Sequence, residues 1–454
     1  MKVYYSEPGE IIDAFGKGDI CVAVYGLGKM GLPIAAVFAE KGANVIGVDI
    51  DKNVVSKIDS GKNYVQGEPG LSKLVKRNVE VGRLSATADA IGAAKRSDVM
   101  IVIVPTFLDE HNKPDLSLVI SVCKDISKGL KPGDFVISES TLPPKTTADV
   151  ILPILMQSGL KLGDFGLAHC PERTSSGRAI KDILGAYPKI VGGVDKKSTE
   201  TAKAIYTVIN KRGVIEVSDS TTAEAVKVFE GIYRDVNIAL SNQLAIVCKE
   251  LGINAIETFN IANTQPYSHL HMPGCGVGGH CIPVYPYFIT KTVESDTSLL
   301  KLSRKVNDYM AQYTVEIAEG ELNLAGCKLK GSNVLILGVT YRGDVKETRC
   351  SPAVSIINIL RSKGSNVFSW DPLLKKEVEE FGAIYCRLNE IEDIDVIILA
   401  SDHKEFKNLN WDEIEKRMRN KIVVDGRGIL DADLLGSRGF KVLYVGGFSK
   451  ETRN

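Results

Sequence analysis

Residues 20–31 read ICVAVYGLGKMG, a short β-branched run followed by Gly26, Gly28 and Gly31 in the spacing G-x-G-x-x-G. A stretch of helical character, LPIAAVFAEKG, comes next, and then a second apolar run, NVIGVDI, that carries Asp49. This is the order a dinucleotide-binding fold requires. The first glycine makes a tight turn, the second lets a pyrophosphate approach the backbone at a helix N-terminus, and the third lets helix pack on strand. A bare GxGxxG marks many ordinary strand–helix turns; here strand, glycines, helix, second strand and terminal acid stand in register. An acid at Asp49 would accept hydrogen bonds from ribose hydroxyls and repel a 2′-phosphate, so NAD is expected rather than NADP, with Lys29 and Met30 in the same cradle.

The alternation of strand and helix continues outward through SDVMIVIVPT (97–106) and GDFVISEST (133–141). Ligands of open parallel sheets sit beyond the carboxyl ends of the strands. Pro105 and Thr106, and Glu139, Ser140 and Thr141, are therefore expected to face the cofactor.

From Asp219 the texture changes. About 34 residues run without proline, with Val226, Phe229, Ile232, Val236, Ala239, Leu240, Leu244, Val247 and Leu251 at helical spacing. That is long for a globular helix and reads as a spine between domains and a natural dimerisation element. After residue 327 the α/β pattern restarts with NVLILG, NVFSWDP, DVIILASDH and NKIVVDGRGIL. The turn after the first of these lacks the full glycine spacing, so a second Rossmann-like domain is expected without a second dinucleotide site. Its strand-end residues Arg342, Asp371, Asp402, His403 and Arg427 are either contacts to another kind of nucleotide or ordinary capping residues. The expected fold is α/β: two Rossmann-like, doubly wound parallel-sheet domains joined by a long central helix, divided at 1–215, 216–325 and 326–454. The twenty residues before the first strand read as an exposed capping segment.

At 454 residues the chain exceeds what one core supports, in keeping with several domains. Lys+Arg and Asp+Glu both total 56, and no block of like charge would track a phosphate backbone, which argues against nucleic acid as partner. The longest apolar runs are strand-length, far short of the roughly 20 residues of a membrane helix. Nine cysteines, several within apolar runs, suit reduced thiols and a cytoplasmic setting.

The remaining motif is GCGVGGHCIPVYPYF (274–288), with His269, His271 and Cys275 close by. Nothing local decides whether Cys281 is a nucleophile, a metal ligand or a buried small hydrophobe. A zinc site from His269, His271, Cys275, His280 and Cys281 has suitable residue types, but the spacing matches no common zinc pattern, and no metal is expected.

Taken in order, VYGLGKMGLPIAAVFA, VPT, ESTLPP, CPER, AEAVKVFEGIYRDVNIALSNQLA, PGCGVGGHCIPV, GVTYRGDVKETRCSPA and VVDGRGIL closely resemble the blocks of the UDP-glucose/GDP-mannose dehydrogenase family over nearly the whole chain. The resemblance implies oxidation of the C6 alcohol of a nucleotide-linked hexose to a carboxylate, with two NAD+ and one water, by a homodimer serving polysaccharide biosynthesis. CPER, RDVNIAL and GGHCIP are nearer the N-acetylhexosamine branch. UDP-N-acetylmannosamine is the expected substrate, with UDP-N-acetylglucosamine and then UDP-glucose behind it. It also implies that Cys281 forms a thiohemiacetal and then a thioester, because an aldehyde offers no hydride until a nucleophile makes its carbon tetrahedral. Lys227 matches the lysine that lowers the thiol pKa and steadies an oxyanion, Glu172 a general base or thioester-hydrolysis residue, and Thr141 a water-holding threonine. Glu172, Arg173, Lys227, Arg234, Asn237, Gly278, Tyr341, Arg342 and Arg427 are the implied substrate contacts.

Three positions depart from the family pattern. Tyr285 stands where an aspartate is usual, Gly231 where an asparagine is usual, and Tyr267 where an arginine is common. Two other readings stay open: a two-electron dehydrogenase of the β-hydroxyacid type, and a non-catalytic nucleotide-sugar binder.

Overall fold

The computed structural model describes residues 1–448 and contains two sheets with one shared logic. In the first, Leu84–Thr87, Asn44–Val48, Cys21–Tyr25, Val99–Val102, Phe135–Ser138 and Gly166–His169 lie side by side and parallel. Lys189–Gly193 then joins antiparallel, and Val214–Glu216 pairs parallel with it. In the second, Ile384–Tyr385, Asn366–Trp370, Asn333–Leu337, Val396–Leu399, Ile422–Asp425 and Lys441–Tyr444 are parallel, closed by an antiparallel edge at Gly447–Phe448. Both repeat the strand order 3-2-1-4-5-6 of a nucleotide-binding fold. Strands covered on both faces read as continuous apolar runs, and Val22, Ala23, Val24, Val334, Leu335 and Ile336 are fully buried.

The chain forms two compact units: residues 1–230 with 287–293, and residues 231–286 with 294–448 of the described chain. The boundary falls inside the expected long helix, which runs from Ser220 to Glu250 as 31 continuous residues and stops before Gly252, at φ +67°. A second long helix, Ser298–Leu324, was not anticipated. Its charged residues are frequent enough to hide an apolar face that buries Met310, Val315, Ile317 and Leu322 in the core of the second sheet.

The N-terminal segment corrects the expectation of an exposed cap. Pro8–Lys17 is a helix, opened by a Glu7/Glu10 capping box and closed at Gly18, φ +80°. It buries Ile11, Ala14 and Phe15, and Val3 and Tyr4 before it are buried too. Phe15 stacks on Phe38 with centroids 5.9 Å apart, so this segment is part of the first unit's core.

Candidate active site

In the first unit, the glycines of residues 26–31 are needed for different reasons. Gly26 has φ +94°, and a β-carbon there would lie 2.9 Å from the Ile103 carbonyl oxygen. A β-carbon on Gly31 would lie 1.8 Å from the Gly26 carbonyl oxygen, so helix and turn touch backbone to backbone. Gly28 is exposed, and a β-carbon there would meet no protein atom within 4 Å. No packing inside the chain demands glycine at 28, which fits a turn kept bare for a ligand's pyrophosphate.

Asp49 is half-buried. One of its oxygens accepts from Leu27 N (3.0 Å) and the other from Asp51 N (2.9 Å). Two of four lone-pair positions remain, as ribose hydroxyls would need. Thr106 Oγ1, past the end of Val99–Val102, is buried without a partner, another place where a bound cofactor's polar edge fits. Pro105 and Lys29 are exposed and Thr141 is half-buried, while Met30 Sδ accepts from the Thr174 hydroxyl at 2.8 Å.

Glu139 corrects the expectation that it faces the cofactor. It is 2% exposed and turned into the first unit's interior, where its Oε1 accepts from Lys189 Nζ (3.0 Å) and from the Tyr206 hydroxyl. Lys189 Nζ also donates to Glu172 Oε2 at 2.9 Å and lies 4.7 Å from the Tyr206 ring centre. Glu172 Oε1 accepts from the amides of Arg173 (2.7 Å) and Thr174 (2.9 Å). Burial alone would raise the Glu172 pKa; the Lys189 charge and hydrogen bond, the Thr174 amide and the Lys227 charge more than offset it and hold it below the usual carboxylate range. Burial moves Glu139 the other way, its pKa raised despite Lys189.

Arg173 is occupied structurally. Its guanidinium pairs with Glu230 (2.7 Å), donates to the Pro188 carbonyl (2.6 Å) and covers the Tyr187 ring. Lys227 lies on the central helix within this unit, half-buried, and its charge acts on Glu172.

In the second unit, the glycine-rich loop is packed, not loose. Gly279 has φ +90° and donates its amide to the Arg349 carbonyl (2.8 Å), and a β-carbon on it would sit 3.0 Å from the Tyr341 ring. A β-carbon on Gly278 would lie 2.6 Å from Tyr341 Cβ. The two glycines therefore let Tyr341 lie flat against the loop that presents Cys281, which is half-buried. The His280 imidazole hydrogen-bonds the Cys281 side chain, and this raises the His280 pKa. Cys275, six residues earlier, is fully buried in the core, its thiol pushed up by burial.

The Cys281 carbonyl accepts from Tyr285 N at 3.0 Å, which puts Tyr285 one turn past the sulfur. Tyr285 is 4% exposed, and its ring lies against Gly231 of the central helix. The third departure, Tyr267, is 90% exposed. Arg234 is exposed; burial, and then the Arg234 charge, lowers the His271 pKa. Asn237 bonds back to the Tyr233 carbonyl at 2.7 Å. Arg427 donates to the carbonyls of Ala400 (2.7 Å) and Tyr341 (3.2 Å), tying the strand end to the Tyr341 turn, and Arg342 lies exposed beside that ring.

Asp371 and His403 are not free for a ligand. Asp371 accepts from the amides of Val339, Leu373 and Leu374 and faces His403 Nε2, and both residues are buried. Among the described residues, no group of three His, Cys, Asp or Glu could hold a metal ion.

Lys189 and Tyr206 escaped the sequence reading. A lysine opening the apolar run KIVGG, at a strand otherwise destined for burial, was the available clue.

Three family models match the chain in order: the UDP-glucose/GDP-mannose dehydrogenase family NAD binding domain at residues 20–210, its central domain at 221–309 and its UDP binding domain at 335–432. A UDP-N-acetyl-D-mannosamine dehydrogenase of Methanococcus aeolicus is 38% identical over 94% of this chain and 95% of its own length. The solved structure of the UDP-N-acetyl-D-mannosamine dehydrogenase of Pyrococcus horikoshii is 35% identical, with TM-score 0.87 over 94% of this chain and 99% of that one. The structure of an NDP-N-acetyl-D-galactosaminuronic acid dehydrogenase from Methanosarcina mazei is 28% identical, with TM-score 0.85 over 99% of both chains.

Proposed function

Given that the chain belongs to the UDP-glucose/GDP-mannose dehydrogenase family, we propose that it oxidises the C6 alcohol of UDP-N-acetyl-D-mannosamine to the uronate in two steps. That it is an NAD-dependent nucleotide-sugar dehydrogenase follows from the family; the epimer and the cysteine chemistry are our reading. The observation that carries the substrate is the similarity, over nine-tenths of the chain, to relatives named for that sugar.

Residues 26–31, with Asp49, Pro105, Thr106 and Thr141, would hold NAD+, and two molecules bound in turn would each accept one hydride. The chain's own residues do the rest. Cys281 as thiolate adds to the C6 aldehyde, and the carbon becomes tetrahedral. After the second oxidation the resulting thioester is hydrolysed by water, which releases the thiol and the carboxylate. Lys227 steadies the oxyanion, and Glu172 with Thr141 holds the water. Arg234, Asn237, Gly278, Tyr341, Arg342 and Arg427 bind the sugar nucleotide; Arg173, tied to Glu230 and Pro188, supports the Glu172 loop. The functional partition is 1–215 for cofactor, 216–325 for the helical centre and 326–454 for the nucleotide.

We read the protein as a cytoplasmic homodimer. The central helix exposes Tyr233, Leu240 and Val247 along one stripe, a face suited to a second copy. All nine cysteines are free, and no helix of the described residues is long and apolar enough to cross a membrane.

The deciding experiment is NADH yield with NAD+ in excess and one limiting sugar nucleotide at a time: UDP-N-acetyl-D-mannosamine, UDP-N-acetyl-D-glucosamine, UDP-N-acetyl-D-galactosamine or UDP-glucose. Two NADH per UDP-N-acetyl-D-mannosamine supports the proposal. Two from the galactosamine sugar alone would move the assignment to the activity named for the Methanosarcina relative. One NADH with accumulating aldehyde would remove the thioester step, and none with any sugar would overturn the reading.

A further inference from the structure

Behind Glu172 lies a group of side chains that the proposed chemistry does not use. Lys189, Glu139 and Tyr206 are 8%, 2% and 1% exposed, and they line a narrow recess together with Glu172. A lysine buried between two carboxylates carries a desolvation cost that its ion pairs and hydrogen bonds have to offset.

The hydrogen bonds indicate which carboxylate it serves. Glu172 has three of its four lone-pair positions filled, two by the Arg173 and Thr174 amides on Oε1 and one by Lys189 on Oε2. One position on Oε2 is left, so the carboxylate can receive a single further donor from a single direction. Glu139 is bonded through Oε1 alone, and its Oε2 is buried with no partner. One ammonium cannot neutralise two buried anions, and the carboxylate with amide support is the one that retains its charge.

We propose that Lys189 is a positioning residue for Glu172: braced by Glu139 and Tyr206, it keeps the Glu172 carboxylate anionic and fixes its one open acceptor position. This rests on the reading that Glu172 takes part in thioester hydrolysis. The other groups facing the pair are Cys170, Tyr187, Lys227 and Arg173, with His169 on the adjoining strand. Burial pushes the Cys170, Tyr187 and Tyr206 pKa values far up and that of His169 down to about 3, so those four stay neutral across the working range. Lys189 itself is pushed up by Glu139 and Glu172 against burial, and it holds its proton. The Glu139 and Glu172 carboxyls are left as the groups that gain or lose a proton, burial raising the pKa of the first and Lys189 outweighing burial at the second.

The test compares the full-length enzyme with Lys189→Met, Lys189→Arg, Glu139→Gln and Glu172→Gln, using the sugar nucleotide that yields two NADH. It reads the pH dependence of kcat, the KM values, and covalent enzyme–sugar adduct by intact mass. Lys189→Met is expected to move the acidic limb of kcat to higher pH, so that turnover lost at neutral pH returns in alkaline buffer. Adduct should accumulate at neutral pH and KM for NAD+ should hold, while Lys189→Arg keeps the wild-type limb. Glu139→Gln leaves Lys189 to Glu172 alone and is expected to put the limb at or below the wild-type position.

A folded Lys189→Met enzyme with an unmoved acidic limb overturns the proposal. Should that variant fail to fold, Glu139→Gln decides: a limb above wild type overturns the proposal and one at or below supports it. Wild-type adduct lifetime in Glu172→Gln would instead sink the underlying role of Glu172, an outcome distinct from either.

Discussion

The ring of Tyr285 occupies the space a side chain on Gly231 would need: a β-carbon at 231 would lie 2.3 Å from Tyr285 Cδ2. Two departures from the family pattern, 54 positions apart in the chain (285 − 231), are thus one exchange of volume. The helix carries no side chain at 231, and the ring one turn past Cys281 fills the space.

Gly231→Ala should therefore destabilise the protein, although alanine is the better helix former by about 1 kcal/mol. The ring must move or the helix must yield, at roughly 1–3 kcal/mol for overpacking. Denaturant midpoints would read this, and Gly231→Ala with Tyr285→Ala should show a favourable coupling relative to the sum of the single changes. Simple additivity would mean that the two residues do not share the space.

Cys281→Ala should abolish uronate formation while leaving NAD+ binding intact, as read by product analysis and by titration of NADH fluorescence. Wild-type enzyme should also lose activity to a thiol alkylator, and sugar nucleotide should protect it. Cys123, Cys170, Cys248, Cys275 and Cys386 are buried and react slowly by comparison. Full two-NADH turnover by Cys281→Ala would refute the covalent route.

Asp49→Ala removes the ribose acceptor and leaves the Leu27 and Asp51 amides unpaired. KM for NAD+ should rise roughly ten- to hundredfold, in line with 1.5–3 kcal/mol for hydrogen bonds to a charged group. NADP+ should be discriminated against less, since the repelling charge is gone. Unchanged cofactor selectivity would place the adenosine ribose elsewhere.

Glu224, near the start of the central helix, accepts from Thr147 N at 2.7 Å and from its hydroxyl at 2.6 Å, and its other oxygen is buried without a partner. Burial raises its pKa to about 7. A carboxyl whose folded pKa exceeds its unfolded one binds more protons when folded, so its stabilising contribution is complete in acid and is lost as pH rises through 7. Glu224→Gln should match wild type at acidic pH and exceed it in mildly alkaline buffer, by up to roughly 3 kcal/mol at 1.36 kcal/mol per pKa unit. Thermal melts at the two pH values check this, and a constant difference would assign the carboxyl no titration in that range.

What could be read from the sequence was whatever depends on neighbours in the chain. Gly26, Gly28, Gly31 and Asp49 announce themselves because a turn and two strands are contiguous, and the long helix because its apolar period runs unbroken. Side chains that meet across the fold were hidden: Lys189 reaches Glu139 from 50 residues away and Glu172 from 17. Glu139 was assigned to the cofactor side from its place at a strand end, and only the opposing Lys189 and Tyr206 turn it inward. The helix Ser298–Leu324 was missed because an amphipathic surface rich in charge dilutes the apolar period.

The carboxylate at the end of the second strand has two fates in this chain. Asp49 keeps lone pairs in reserve, whereas Asp371 has spent its own on the amides of Val339, Leu373 and Leu374. Transplanting the turn of residues 26–31 onto residues 338–343 would therefore not create a second redox half. The recipient acid is already committed to the amides of its own turn and to His403. For protein engineering the halves are not interchangeable parts: the strand-end acid keeps acceptor positions open in the first and has filled them in the second.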